Sequence, residues 1–170
     1  MSGVRILATG PEFLREGVRG IEPVIEDLIA SARSEVHIVA YLLTGQAAHI
    51  LDLTEKAAGR GVRAIFLINR LEAQDEFIRF RLNSLCKSSP RITVYNFSDP
   101  EGRQLHAKVV IADRSKAVIG SANLSWGGLV TNYEIGVMLE GEAAWRLAAL
   151  VDSFIAAMKE RGAVNVLGKE

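Results

Sequence analysis

The chain has 170 residues, a length that suits one domain, and its 49% hydrophobic and 24% charged residues are typical of a globular protein. Twenty basic side chains balance twenty acidic ones, so no overall electrostatic field favours nucleic acid or a basic partner. A single cysteine, Cys86, excludes an intrachain disulfide and any multi-cysteine metal cluster. We expect one domain over residues 1–170, with its core at about residues 4–162.

The first half of the chain alternates between helical and strand-like patterns. Apolar residues keep helical spacing in three segments, Ile21–Ala32, Ala47–Ala58 and 73–87. Runs rich in β-branched residues predict three strands, at Val36–Leu43, Val62–Ile68 and Ile92–Phe97. This βαβαβ order is typical of a sheet with parallel strands and covering helices.

The second half of the chain has a different pattern. Two short strands, Leu105–Asp113 and Lys116–Ala122, are predicted on either side of a tight turn, and Tyr133–Glu140 predicts another. An amphipathic helix then ends at Gly162. The predicted fold class is therefore α/β, with a mixed, mostly parallel β-sheet flanked by helices.

Several signals of cofactor, metal and membrane binding are missing from the sequence. No strand is followed by a G-x-G-x-x-G turn, and there is no G-x-x-x-x-G-K-[ST] phosphate loop. The three histidines, His37, His49 and His106, lack the spacing of metal ligands. Residues 1–10 contain no apolar stretch of signal-peptide length. We expect a cytoplasmic protein without cofactor, metal or stable membrane insertion.

A group of polar residues on the two hairpin strands carries the chemistry. Side chains alternate faces along a strand, so His106 and Lys108 share one face of the first strand, and Ser121 and Asn123 share one face of the second. An imidazole, an ammonium, a hydroxyl and a carboxamide together suit a tetrahedral oxyanion such as phosphate, and Gly120 would allow a group to approach the backbone closely. The alternative is a solvated hairpin whose exposed side is polar.

The full pattern, H-x-K-x4-D-x6-G-S-x-N, resembles the signature of the phospholipase D superfamily. Its fixed positions here are His106, Lys108, Asp113, Gly120, Ser121 and Asn123. The resemblance implies a metal-independent phosphodiesterase in which the motif histidine, His106, attacks phosphorus and forms a covalent phosphohistidine. By the same resemblance, Lys108 and Asn123 bind the non-bridging oxygens, Ser121 donates to the phosphate or braces the site, and Asp113 fixes the turn or makes a supporting contact.

Glu134 is the candidate residue that orients the histidine. Family members carry an acidic residue shortly after the motif, and Glu134 holds the corresponding position in Thr131–Glu134. A carboxylate bonded to one ring nitrogen fixes the tautomer and leaves the other nitrogen free to attack. The alternative is a surface glutamate at the start of a strand.

The family mechanism uses two motif histidines, whereas this chain contains one motif. Neither His37 nor His49 begins a second copy, and both are interpreted as structural residues. We therefore predict a homodimer with the active site at its two-fold interface. Apolar residues of the last helix suit either this interface or the core, namely Trp145, Ala148, Ala149 and Ile155.

Single-motif, minimal-length members of the superfamily resemble bacterial endonucleases, including those of restriction and phage-defence systems. The predicted function is thus a nuclease that hydrolyses DNA or RNA, with candidate cleft residues Arg70, Arg79, Arg81, Arg91, Arg103 and Arg114. A phospholipid or other small-phosphodiester hydrolase or transphosphatidylase is the first alternative. A non-catalytic module that binds nucleic acid or protein is the second. Trp126, next to the motif, is expected to pack under the hairpin, and the alternative is a residue beside the site that contacts a membrane or stacks on a base.

Overall fold

One mixed β-sheet forms the middle layer of the structure, a computed structural model that describes residues 3–168. Within that range the sheet has nine strands: β1 (Val4–Thr9), β2 (Arg19–Gly20), β3 (Glu35–Ala40), β4 (Arg63–Asn69), β5 (Ile92–Phe97), β6 (Val109–Ala112), β7 (Lys116–Gly120), β8 (Glu134–Glu140) and β9 (Val164–Val166). Their order across the sheet is β2-β1-β8-β7-β6-β3-β4-β5-β9.

The directions of the strands divide the sheet into two parts. Strands β3, β4 and β5 are parallel, as the βαβαβ pattern predicts. Strand β6 then pairs antiparallel with β3, and β7 and β8 continue the antiparallel run to β1. The mixed α/β class is confirmed. The expectation of a mostly parallel sheet is wrong, because five of the eight neighbouring pairs are antiparallel.

Helices cover both faces of the sheet. Their bounds are α1 (Pro11–Arg15), α2 (Ile21–Ser31), α3 (Ala48–Gly59), α4 (Glu76–Ser88) and α5 (Glu142–Glu160). Helices α2, α3 and α4 pack on one face, where Ile38 and Phe66 are fully buried, and α5 packs on the other, against Val39 and Leu67. Alternate residues of β3 therefore enter different cores. Among residues 3–168, no helix is long and apolar enough to span a bilayer.

Most elements lie where the sequence pattern predicts them, with a few instructive differences. The predicted third strand is β5 without change, whereas β1 and β9 were not predicted. Strand β6 begins at Val109, so the predicted strand segment from Leu105 to Lys108 is irregular. Of the apolar residues considered for an interface on α5, Ala148 and Ile155 belong to the core, whereas Trp145 is 55% exposed.

The turn between β6 and β7 is built around Asp113. Asp113 and Arg114 both adopt left-handed backbone conformations, with φ of 52° and 54°. The Asp113 carboxylate accepts hydrogen bonds from the backbone N–H groups of residues 33–35, at 2.7–3.1 Å, and from the hydroxyl of Ser34 at 2.8 Å. This agrees with the expectation that Asp113 fixes the turn, and it removes Asp113 from the residues that could touch a substrate, because it lies beyond the end of β6 opposite to His106 and ties the hairpin to the start of β3.

Replacing Asp113 by Asn should lower the free energy of unfolding by about 1.5–3 kcal/mol at neutral pH, since hydrogen bonds to a charged group are lost. Burial alone would raise the pKa of this carboxyl, but the hydrogen bonds from Ser34, Glu35 and Arg33 together hold it below its ordinary value. Its contribution is therefore complete above the unfolded pKa and disappears as the pH falls through the folded pKa. Urea denaturation at several pH values should show the two proteins converging in acid.

Asp27→Asn is the matched control for this substitution. Asp27 pairs with Arg19 at the surface, where its side chain is 66% exposed, so its loss should change stability by less than about 1 kcal/mol. An Asp113→Asn protein as stable as the Asp27→Asn protein at neutral pH would contradict the assigned role.

Candidate active site

The motif residues meet at one edge of the sheet, where β3, β4 and β7 end and β6 and β8 begin. Gly120 N–H donates to the carbonyl of Lys108 at 3.4 Å, and Gly120 faces Gly136 across the β7–β8 pair. The segment around Lys108, the end of β7 and the start of β8 thus lie side by side. Ser121 and Glu134 are brought to this edge by the same pairing.

His106 and Lys108 are in direct contact, although their segment is not a strand. The Lys108 ammonium lies 2.9 Å from His106 Nδ1 and 2.7 Å from the His106 carbonyl oxygen. The ring of Tyr41, just after β3, lies with its centroid 4.3 Å from that of the imidazole and 5.1 Å from Lys108 Nζ. Burial lowers the pKa of Lys108, against the opposing effect of the Glu134 charge. An imidazole and a cation therefore stand together at an exposed position, as an oxyanion site requires.

The Glu134 carboxylate holds Ser121. This carboxylate accepts hydrogen bonds from the Ser121 hydroxyl and from Asn132 Nδ2, the latter at 3.2 Å. The backbone N–H of Ile135 donates to Ser121 Oγ at 3.2 Å. No hydrogen bond joins Glu134 to His106 in the part of the chain that the structure describes. The orienting role predicted for Glu134 is therefore not observed among these residues and stays a prediction.

Asn123 is held by an unusually close backbone contact. Its side-chain oxygen Oδ1 is buried without a hydrogen-bond partner among the described residues, and because phosphate oxygens are also acceptors, the Nδ2 group is the part of this side chain that could donate to a phosphate. Gly128 packs directly on the backbone of Asn123. A Cβ at Gly128 would lie 2.3 Å from the backbone carbonyl oxygen of Asn123 and 2.7 Å from its backbone nitrogen. Gly128 belongs to the short π-helix Gly127–Thr131 that follows the motif.

Gly120 is needed for strand pairing. A Cβ at Gly120 would lie 2.7 Å from both the Gly136 Cα and the Ile135 carbonyl oxygen. The close approach predicted at Gly120 is therefore made by the backbone of β8. This close contact supports the assignment of Gly120 as a structural residue of the site. Gly136 belongs to the same contact.

Two buried amide side chains that sequence reasoning missed position the site. Asn69, at the end of β4, accepts a hydrogen bond from the backbone N–H of Leu105 at 2.9 Å, next to His106. Gln74 donates to the carbonyls of Tyr41 and Asn69, at 3.0 and 2.7 Å, and accepts from Leu43 N–H. For Asn69, the signal available in the sequence was a polar residue directly after the predicted buried strand Val62–Ile68.

The candidate arginines do not form a free basic cleft. Four of them are ion-paired: Arg70 with Glu72, Arg81 with Asp52 and Glu55, Arg103 with Glu101, and Arg114 with Glu35 and Asp152. The prediction that the arginines line the cleft is most clearly wrong for Arg91 and Arg114, because they lie at the edge of the sheet opposite to His106. Trp126 is also a correction, since its side chain is 55% exposed and does not pack under the hairpin.

The other two histidines lie outside this site. His37 is fully buried and contacts Asp152 of α5 at 3.1 Å. His49 Nε2 lies 3.2 Å from Glu22 and 3.3 Å from Glu26. Within residues 3–168, this last group is the one whose ligand atoms are close enough together to hold a metal ion, and it joins α2 to α3.

Comparison with known proteins identifies the family to which this arrangement corresponds. A family model described as "Cardiolipin synthase, PLD-like domain" matches residues 25–161. The chain is 30% identical over 143 residues to DISARM protein DrmC of Bacillus paralicheniformis, covering 83% of this chain and 58% of that protein. It is 24% identical over 156 residues to cardiolipin synthase A of Yersinia pseudotuberculosis, covering 90% of this chain and 30% of that protein. The chain thus spans only part of these relatives.

Solved structures of matching size share the fold. Nuc from Salmonella typhimurium, a phospholipase D family member, has a TM-score of 0.72 and 22% identity, with 98% of each chain covered. NucT from Helicobacter pylori has a TM-score of 0.70 and 19% identity, covering 94% of this chain and 97% of that one.

Replacing Gly128 by Ala should displace Asn123 and lower the free energy of unfolding by about 1–3 kcal/mol, because the added methyl group overlaps rigid backbone. Gly59→Ala is the matched control. A Cβ at Gly59, the last residue of α3, meets nothing within 4 Å, so this change should be neutral or stabilise by up to about 1 kcal/mol. Equal stability of the two variants in chemical denaturation would contradict the contact with Asn123.

Proposed function

Because the chain belongs to the phospholipase D-like family, we propose that it is a metal-independent phosphodiesterase that cleaves DNA or RNA through a covalent phosphohistidine. The observation that carries the proposal is the contact of His106 with Lys108, at 2.9 Å, on the edge of the sheet that also presents Ser121 and Asn123. A phosphate bound at this edge meets a nucleophile, a cation and neutral polar groups together.

In the proposed reaction, a ring nitrogen of His106 attacks phosphorus, and the bond from phosphorus to the leaving oxygen breaks. A second imidazole donates a proton to that oxygen. The same imidazole then removes a proton from water, whose oxygen attacks phosphorus and breaks the phosphorus–nitrogen bond. Lys108 and Asn123 stabilise the charge that grows on the non-bridging oxygens, and Ser121 and Glu134 support the site.

The second imidazole is supplied by a second copy of the chain in a homodimer. One motif is present per chain, and His37 and His49 are held in other environments. The sheet leaves an apolar surface uncovered beside the site, formed by Val4, Ile6 and Ile135, which are 64%, 59% and 55% exposed. Ile135 directly follows Glu134, so this surface is continuous with the site and suits a two-fold contact.

A nucleic-acid substrate and a role in phage defence fit the relatives best. The chain covers nearly the whole of Nuc and NucT, and single-motif members of this size resemble endonucleases. The DrmC relative is named for the DISARM system, which serves phage defence. A phospholipid substrate is the alternative that the cardiolipin synthase similarity favours. A module that only binds is disfavoured by the complete motif.

The protein should cleave labelled DNA or RNA in EDTA, and His106→Ala should lose at least about 10³-fold of that activity, since the nucleophile is removed. His49→Ala is the matched control and should retain it, because His49 lies between α2 and α3. Acid-quenched reactions should contain phosphorylated His106. Turnover of phosphatidylcholine without cleavage of nucleic acid would assign the lipid alternative.

Mixing subunits tests the shared site. At equal total protein, a one-to-one mixture of native and His106→Ala chains should, after subunit exchange, keep about a quarter of the native activity if each site needs both imidazoles. Independent sites would keep about half. Light scattering should give the mass of a dimer, and a fully active monomer would refute the proposal.

A further inference from the structure

Four aromatic side chains lie on the segments that follow β3, β4 and β7 at the edge of the sheet that carries the candidate active site. They are Tyr41, Phe77, Phe80 and Trp126, hereafter the aromatic strip. Phe80 is 72% exposed, Trp126 55% and Phe77 51%, and Tyr41 is half-buried. Rings of this size stabilise a fold by being buried, so their exposure around one site indicates that they contact something other than the core.

Contacts made by neighbouring residues connect the strip to the motif. Phe77 and Phe80 are three residues apart in the first turns of α4, so they lie on one side of that helix. A Cβ at Gly45 would lie 3.7 Å from Phe77 Cδ1, which places Phe77 on the loop after β3. In the same loop, Thr44 N–H donates to the Leu124 carbonyl at 3.1 Å, two residues before Trp126.

Tyr41 connects the strip to the reacting groups. Its ring packs against the imidazole of His106 and lies 5.1 Å from the ammonium of Lys108. A cation for phosphate and an aromatic face for a base are therefore adjacent. This order matches the alternation of phosphate and base along a nucleotide chain, whereas a lipid headgroup offers no series of flat rings.

The charge distribution favours unpaired bases over a duplex. Duplex DNA presents its phosphates outward and hides the faces of its bases in the stack, so a protein grips it through many free cations. The chain has no net charge, and the arginines Arg70, Arg81 and Arg103 are already ion-paired. Stacking on exposed rings supplies affinity that needs little charge, and it requires bases that are not paired.

We propose that the aromatic strip is a stacking platform for unpaired bases on both sides of the scissile phosphate, and that the substrate is single-stranded nucleic acid. This inference rests on the proposed phosphodiesterase function and names the substrate class of that site. Tyr41 stacks the base next to the reacting phosphate. Phe77 and Phe80 on one side and Trp126 on the other hold more distant bases.

Fluorescence anisotropy with labelled oligonucleotides tests the platform. In a His106→Ala background, which prevents cleavage, a 20-nucleotide oligo-dT strand should bind more tightly than an abasic strand or a duplex of the same length. Phe80→Ala and Trp126→Ala should each raise the Kd for oligo-dT by about 5- to 150-fold, the range of one lost base stack. Phe80→Tyr should retain binding, because it keeps an aromatic face.

Trp145→Ala is the matched control, since Trp145 is as exposed as Trp126 but lies on α5. It should leave the Kd unchanged. Cleavage in EDTA combined with equal affinity for oligo-dT and duplex, or with unaltered binding by Phe80→Ala and Trp126→Ala, would overturn the platform and leave the nuclease in place. Absence of nucleic-acid cleavage, with vesicle binding that these substitutions reduce, would overturn both and assign the rings to a membrane surface.

Discussion

Gly120 and Gly136 face each other across β7 and β8, and the close approach of their backbones decides where the motif side chains can meet. A side chain at Gly120 would overlap the backbone of β8, so this contact depends on the missing Cβ. On one side of β7, the backbone N–H of Gly120 donates to the carbonyl of Lys108. On the other side, the pairing with β8 places Glu134 beside Ser121. Lys108, Ser121 and Glu134 thus converge on one edge of the sheet.

Hydrogen bonding at that edge distinguishes two kinds of buried amide side chain, those whose polar atoms are all paired and one whose oxygen is not. The buried amides of Asn69 and Gln74 have their polar atoms satisfied, and they hold the irregular segment before β6 and the loop after β3. Asn123, by contrast, keeps a buried amide oxygen without a partner. A satisfied buried amide adds rigidity, whereas the unpaired oxygen of Asn123 can accept a hydrogen bond only from a donor such as water and leaves Nδ2 as the group that could donate to a phosphate.

The charged side chains also fall into two groups, arginines that are paired with carboxylates and Lys108 beside His106. Most of the candidate arginines are neutralised by neighbouring carboxylates, and Arg114 belongs to a network with Glu35 and Asp152 at the far end of the hairpin. Lys108 instead donates to the imidazole and carbonyl of His106, with Glu134 acting on it only through its charge. The neutral total therefore conceals one cation placed beside the imidazole, so the proposed oxyanion site does not require a net positive charge.

The amino-acid sequence alone predicts helices α2 to α5, strands β3 to β8 and the motif that makes His106, Lys108, Ser121 and Asn123 candidates, because periodicity and motif spacing are local properties of the chain. Only the folded structure established that β6 pairs antiparallel with β3 and that β8 runs antiparallel between β7 and β1, because no local pattern encodes which distant strands become neighbours. It also gave Asp113 its structural role, through bonds to residues about eighty positions away, and brought Asn69, Gln74 and Tyr41 to the site. Such contacts depend on which strands become neighbours, and only packing of the whole sheet settles that.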